Sequence, residues 1–166
     1  MAIAQHTVFP NVFNVFYNLL NKHITDPLNR GSQWIFASFP EEDISKGKVK
    51  YPILIIEPPD MSWETLTQTK STNMIEIIFS AYSTKMAQAD SLLTQINSVV
   101  DSNRWPLKND DGLSFVNLTG TSTDFVLRGG TRAHTRIATY SMQNIFVNGL
   151  AKISRSATIN SSGVIS

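Results

Sequence analysis

The chain has 166 residues, a formal net charge of +1 and no cysteine, and 42% of its residues are hydrophobic. This length predicts one domain whose core needs no disulfide or metal, and the lack of cysteine excludes a disulfide scaffold and thiolate zinc sites. Near-neutral charge disfavours a dedicated nucleic-acid-binding protein. Residues 1–10 lack the pattern of a secretory signal and no apolar run is long enough to span a bilayer, so we expect a cytoplasmic protein with no membrane partner.

The charges are unevenly distributed along the chain. No Asp or Glu occurs from Phe125 to Ser166, and this stretch carries Arg128, Arg132, Arg136, Lys152 and Arg155. Such asymmetry indicates either a surface that faces DNA or an acidic partner, or ordinary solvated positions on a strand.

Apolar residues recur at helical spacing from Val12 to Ile24, which predicts an amphipathic first helix. His23 lies at the edge of this stripe and is predicted to be a packed, hydrogen-bonded residue rather than a metal ligand. Residues 34–39 are read as a short strand or packed loop, and residues 41–48 as a charged, exposed connection.

Residues 51–57 have the composition of a buried strand, and the polar residues 60–72 predict a long hairpin loop or an extended excursion. Residues 73–82 alternate most clearly. One face is apolar and predicts a core, whereas the other is mixed and carries Met74, Ile78 and Tyr82. These three residues are the predicted subunit interface.

A second helix is predicted around residues 89–100, followed by strands at 113–118 and 125–128, which could be one strand interrupted near Gly120. Gly129–Gly130 indicates a hairpin turn before a long final strand at 134–147. The element order predicts an α+β fold: one antiparallel sheet of about four strands, two helices packed on one face, extended loops and a C-terminal arm. Residues 1–148 would form the single domain, and the Ser/Asn-rich residues 149–166 the tail or arm.

No constellation of catalytic residues is evident in the sequence. Asp60 and Glu76 resemble the carboxylate spacing of restriction-type nucleases, but Ile78 stands where those enzymes need a lysine. Asp110–Asp111 is a better match to a turn than to a cation site. Phosphate-binding loops and nucleophile elbows are missing from the sequence. We therefore expect no enzyme activity, no catalytic residue, no metal and no cofactor.

The three arginines near the double glycine suggest a different role. Arg128, Arg132 and Arg136 would crowd around the hairpin tip or run along one strand face. In a ring of subunits they could face the lumen and line a positive channel for DNA, and otherwise they are exposed surface charges.

The order of elements resembles a known family. It comprises the N-terminal helix, the strand Tyr-Pro-Ile-Leu-Ile-Ile, the strand Ile-Glu-Ile-Ile-Phe-Ser-Ala-Tyr, the helix Ala-Asp-Ser-Leu-Leu-Thr-Gln-Ile, the turn Asp-Phe-Val-Leu-Arg-Gly-Gly and the strand Ile-Ala-Thr-Tyr-Ser-Met-Gln-Asn-Ile-Phe-Val. Over about residues 8–148, this pattern resembles the tail terminator, or tail completion, proteins of tailed bacteriophages.

The resemblance implies a structural virion protein of the tail and neck, assembled in the host cytoplasm. Such proteins form a ring, commonly a homohexamer, on the tail tube, end its elongation, bind the head connector and leave a channel for DNA. A related protein anchors the sheath in contractile tails. The alternatives are another neck component, such as a head completion or head–tail connector protein, or a small enzyme or ligand-binding α+β domain.

Overall fold

The computed structural model describes residues 8–67, 70–128 and 130–147, so the predicted arm at 149–166 lies outside the described residues. The elements in chain order are α1 (Val8–His23), β1 (Ile35–Phe36), α2 (Glu41–Ser45), β2 (Ile53–Ile56), β3 (Asp60–Thr67), β4 (Lys70–Ser83), α3 (Met86–Ser102), α4 (Arg104–Asn109), β5 (Ser114–Arg128) and β6 (Thr131–Val147). The α+β class is confirmed. Among the described residues, no helix is both long and apolar enough to cross a membrane.

The strands form one mixed sheet of six strands in the order β1-β2-β4-β6-β5, with β3 also paired to β4. Strand β1 is parallel to β2, and the other pairs are antiparallel. The prediction of about four antiparallel strands was therefore too low. Residues 60–72, predicted as a loop, form β3 and the start of β4, because Ser/Thr-rich sequence at a sheet edge lacks the apolar pattern of a buried strand.

The main core lies between the sheet and helices α1 and α3. Phe79 is at its centre, with its ring centroid 5.4 Å from that of Phe16 and 5.6 Å from that of Tyr140, both edge-on. All three side chains are fully buried. Burial of such a side chain stabilises the fold by roughly 1.5–3 kcal/mol, so this layer holds β4 and β6 firmly against the helices.

Helix α2 covers part of the opposite face of the sheet. Its Ile44 packs with Ile53 and Ile55, and Phe39 and Tyr82 adjoin this second cluster. Alternation along β2 sends Leu54 and Ile56 to the main core and Ile53 and Ile55 to the other face. The two predicted helices, α1 and α3, do lie on one face of the sheet. Helix α2 was not predicted, because its five residues are too few to show helical periodicity.

An ion pair stabilises the loop that connects α1 to β1. The Asp26 carboxylate accepts hydrogen bonds from the Arg30 guanidinium and from the backbone amides of Leu28 and Arg30. Arg30 also donates to the carbonyl oxygen of Pro52, at 2.6 Å. Burial would raise the pKa of Asp26, but these hydrogen bonds outweigh it and lower that pKa to about 2. The pair therefore ties the loop after α1 to the approach of β2.

The β5–β6 hairpin projects beyond the rest of the sheet. The last residue of β4 on the ladder is Ser83, which pairs with His134, whereas β5 and β6 continue pairing to Arg128 and Thr131. Gly130 has a φ of +74°, which glycine adopts without steric cost. The predicted hairpin between β5 and β6 is confirmed, with Gly130 in its turn, while Gly129 lies outside the described residues. The single β5 strand is also confirmed, and its register shifts between Leu118 and Gly120.

Candidate assembly surface

The three arginines predicted to face DNA have different environments. Arg136 is buried, 9% exposed, and its Nε donates to the Asp90 carboxylate on α3. This hydrogen bond lowers the pKa of Asp90. Arg136 therefore cannot line a channel, and its assignment is corrected. Arg132 is exposed on the projecting hairpin. Arg128 ends β5 at the tip, and its side chain lies outside the described ones.

The prediction that Arg136 faces DNA was wrong because of the position of the helices. Arg132, His134 and Arg136 alternate on one side of β6, as predicted, but this side faces the helices. Arg132 escapes burial because the hairpin has left the helix layer there, whereas Arg136 lies beneath α3. The sequence pattern gives the side of a strand but not where the covering helix ends.

The predicted interface residues lie on the sheet face opposite α1 and α3. Met74 is 40% exposed and Ile78 is half-buried. Tyr82 instead packs edge-on against Phe39, with ring centroids 5.1 Å apart, in the second cluster of the same chain. This intrachain contact removes Tyr82 from the predicted interface and leaves Met74 as its most accessible member.

Exposed apolar side chains are concentrated on β5, which forms one edge of the sheet. Phe115 and Leu127 are each 70% exposed, Phe125 is 54% exposed and Leu118 is 41% exposed. Single exposed apolar residues are normal, but a series of them on an edge strand is unusual, because an unpaired edge can join another chain. The sequence did not predict this surface. An apolar residue on a strand is expected to be buried, and its exposure becomes evident only when the positions of the covering helices are known.

A second exposed aromatic surface lies where α4 meets β5. Trp105 is 73% exposed, and it lines a cavity of about 380 Å³ together with Phe115, Arg104 and Lys108. Phe115 has a positive φ of 55° beside an irregularity in the strand register, which is a costly conformation for an aromatic residue. Trp and Arg are enriched where proteins bind one another, so this surface is a candidate docking site.

The carboxylates of Asp60 and Glu76 lie directly opposite each other on β3 and β4. Both residues are exposed, and they border a hollow of about 430 Å³ that includes Met61, Met74 and Ser141. The half-buried Ile78 occupies the position of the missing lysine. Among the described residues, no group of three or more His, Asp or Glu side chains could hold a metal ion.

A groove of about 590 Å³ lies between α1 and the α4–β5 turn, and most of the residues that line it are polar. Asn14, Asn18 and His23 line its α1 side, and Asp110 and Asp111 line the other. Burial raises the pKa of Asp111. His23 is exposed there, so the prediction that it is packed was wrong, because the buried stripe continues from Leu20 to Ile24 and leaves His23 outside it.

Comparison with known proteins gives no family assignment. No protein-family model matches this chain, and no curated protein is significantly similar to it. Its function must be argued from its own residues and surfaces.

Proposed function

We propose that this chain is a structural subunit of the phage tail and neck that caps the tail tube as a ring and ends tail elongation. The ring, a homohexamer in this proposal, offers an attachment surface to the head completion or connector protein and leaves a channel for DNA. The resemblance in element order to tail terminator proteins supports this role, and the surfaces of the described residues support it independently.

The observation that carries the proposal is the character of β5. It is a 15-residue edge strand with four exposed apolar side chains, and its final residues form a hairpin that extends past the other strands. Proteins that remain monomeric usually blunt such an edge with short strands or charges. An apolar edge of this length is better suited to a subunit that is covered after assembly.

A ring that caps a tube needs lateral contacts between subunits and axial contacts to the proteins above and below. The β5 edge and the hairpin suit lateral contacts, and the aromatic cavity at Trp105 and Phe115 suits an axial partner. The tail tube protein, the head connector and, in a contractile tail, the sheath are the proposed partners. Of the three arginines predicted to face DNA, Arg136 is paired inside the fold, so Arg132 and Arg128 are the two that remain for a basic lumen.

Light scattering across a concentration series, followed by electron microscopy with isolated tail tubes, tests the proposal. Six copies of the 18.5 kDa chain give a ring of about 111 kDa. We expect such a ring in solution or on tube ends, and tubes of uniform length when the chain is present during assembly. A chain that neither forms a ring nor binds tube ends would refute the proposal.

The purified protein also allows the proposal to be distinguished from two alternative functions. A head completion or connector protein would bind the head portal rather than tube ends. The polar groove of about 590 Å³ favours, as a second candidate, a small ligand-binding domain. A thermal-shift screen with polar metabolites would give a clear rise in Tm for that candidate, and Asp111→Asn should then reduce the rise.

A further inference from the structure

We propose that subunits join by a tip-and-hollow contact, in which Leu127 of one copy enters the Asp60–Glu76 hollow of the next and Arg132 pairs with its carboxylates. The contact deepens the proposed function and rests on it, since it specifies which surfaces connect neighbours in the ring. It also assigns Arg132 to a subunit contact rather than to the lumen.

The tip is defined by Leu127 and Arg132, which are direct partners on the β5–β6 ladder. Their side chains therefore leave the hairpin on the same side. Leu127 is 70% exposed, and Arg132 is exposed with no ion-pair partner among the described residues. At the end of the projecting hairpin, an apolar side chain and a cation therefore lie side by side, and a binding partner could cover the first and pair with the second.

The hollow has the complementary chemistry. Asp60 and Glu76 are direct ladder partners, and like charges placed so destabilise a sheet unless a cation joins them. Neither carboxylate has a cationic partner among the described residues. Met74, on the same face of the sheet, provides apolar lining. A volume of about 430 Å³ is many times the roughly 30 Å³ of one water molecule, so an inserted side chain can be accommodated.

Tip and hollow cannot meet within one chain. Arg132 and Ser141, which borders the hollow, are both on β6. They are separated by about nine residues, or roughly 30 Å at ~3.3 Å per residue in a strand. Arg132 lies on the helix side of β6, whereas Glu76 and its partner Ser141 lie on the other side. The occupant of the hollow is therefore a second copy of this chain.

Because tip and hollow are different surfaces, each copy can donate one tip and receive another. This is a heterologous contact, which closes into a ring when the rotation between copies allows it. Exposed charges of opposite sign would also steer the approach of the subunits and fix their register. The contact thus supplies the head-to-tail geometry that the proposed ring requires.

Mixing two defective variants tests the geometry by native mass spectrometry. Leu127→Ser combined with Arg132→Ser removes the tip without placing a new charge there, and Asp60→Lys combined with Glu76→Lys reverses the hollow. Each variant alone should lose the ring, whereas an equimolar mixture should give 1:1 dimers and nothing larger, since one intact tip and one intact hollow remain. Met86→Asp, at a residue that is 52% exposed, and Lys50→Glu, at an exposed residue outside the proposed surfaces, are matched controls that should keep the wild-type mass.

A charge swap tests the ion pair. Arg132→Glu should weaken assembly by at least about tenfold, and adding Glu76→Arg should restore most of it. If Arg132→Glu leaves assembly intact but impairs DNA delivery, Arg132 faces the lumen and the inference is overturned.

The natural absence of cysteine allows a covalent test that does not need a stable ring in solution. With Leu127→Cys on the tip and Ser62→Cys on the exposed rim of the hollow, oxidation should give a ladder of linked chains. Either single variant should give dimers at most. Monomer alone from the double variant overturns the inference. If the wild type forms a ring and each of the two variants from the mixing test forms the same ring alone, the tip-and-hollow contact is refuted, but the proposed function still stands.

Discussion

Protonation of Asp26 should remove a defined part of the folding free energy. Its pKa is about 2 in the folded chain against an ordinary value of 3.8, and the side chain is 8% exposed. A folded-state pKa below the unfolded value means that the stabilisation is present above pH 4 and is lost as the pH falls through 2. The difference corresponds to about 2 kcal/mol at pH 7 and about 1 kcal/mol at pH 3.

Urea unfolding of the wild type and Asp26→Asn at several pH values measures this contribution. At pH 7 the variant should be less stable by about 2 kcal/mol, or roughly 4–8 °C in Tm for a chain of this size, and the gap should shrink by about half at pH 3. Asp101→Asn is the matched control, because its pair with Arg104 is exposed and should contribute roughly 0–1 kcal/mol. A gap that is absent at pH 7, or one that stays constant down to pH 2, would refute the reasoning.

Three further predictions concern single side chains. Tyr140 donates to Asn97 at 2.7 Å and burial raises the pKa of Tyr140 to about 12. Between about pH 10 and pH 12 the wild type should therefore lose about 2 kcal/mol of unfolding free energy that Tyr140→Phe does not lose in alkaline urea titrations. Arg136→Ala should lower Tm by several degrees because it removes a buried side chain from beneath α3, whereas Arg132→Ala should change the unfolding free energy by no more than about 0.5 kcal/mol; equal effects would contradict the burial difference. Trp105→Ala should likewise leave the unfolding free energy within about 0.5 kcal/mol but weaken cosedimentation with tail tubes; unchanged binding would exclude Trp105 as the docking residue.

The elements with strong periodicity could be predicted from the sequence. Helix α1, helix α3 and strand β4 each bury a regular set of apolar residues in the main core, and such sets determine both the element and its inner face. The short or polar elements could not be predicted in the same way. Strand β3 depends on its ladder with β4, and α2 depends on Ile44 reaching the second cluster. Both are defined by tertiary contacts that are absent from local sequence.

The candidate surfaces were harder to predict because exposure depends on where a covering layer ends. Met74, predicted as an interface residue, is exposed, but Tyr82 on the same face is packed beneath Phe39. Asp60 and Glu76 were noted in the sequence as a faint nuclease pattern. Their actual relation is a cross-strand pair of like charges, which becomes visible only with the register of β3 and β4.

The buried Arg136 gives the projecting hairpin a fixed base. It lies two residues beyond His134, where β4 stops supporting β6, and it pairs with Asp90 on α3 at that point. A hairpin that continues as two strands alone is only marginally stable, so an anchor at its root limits the directions in which Leu127 and Arg132 can point. Arg136→Lys tests this positioning role, because a lysine keeps the charge but lacks the planar fork of arginine. If Arg136 orients the tip, this variant should retain most of its stability yet assemble less well than the wild type, and the defect should be absent from Lys50→Glu.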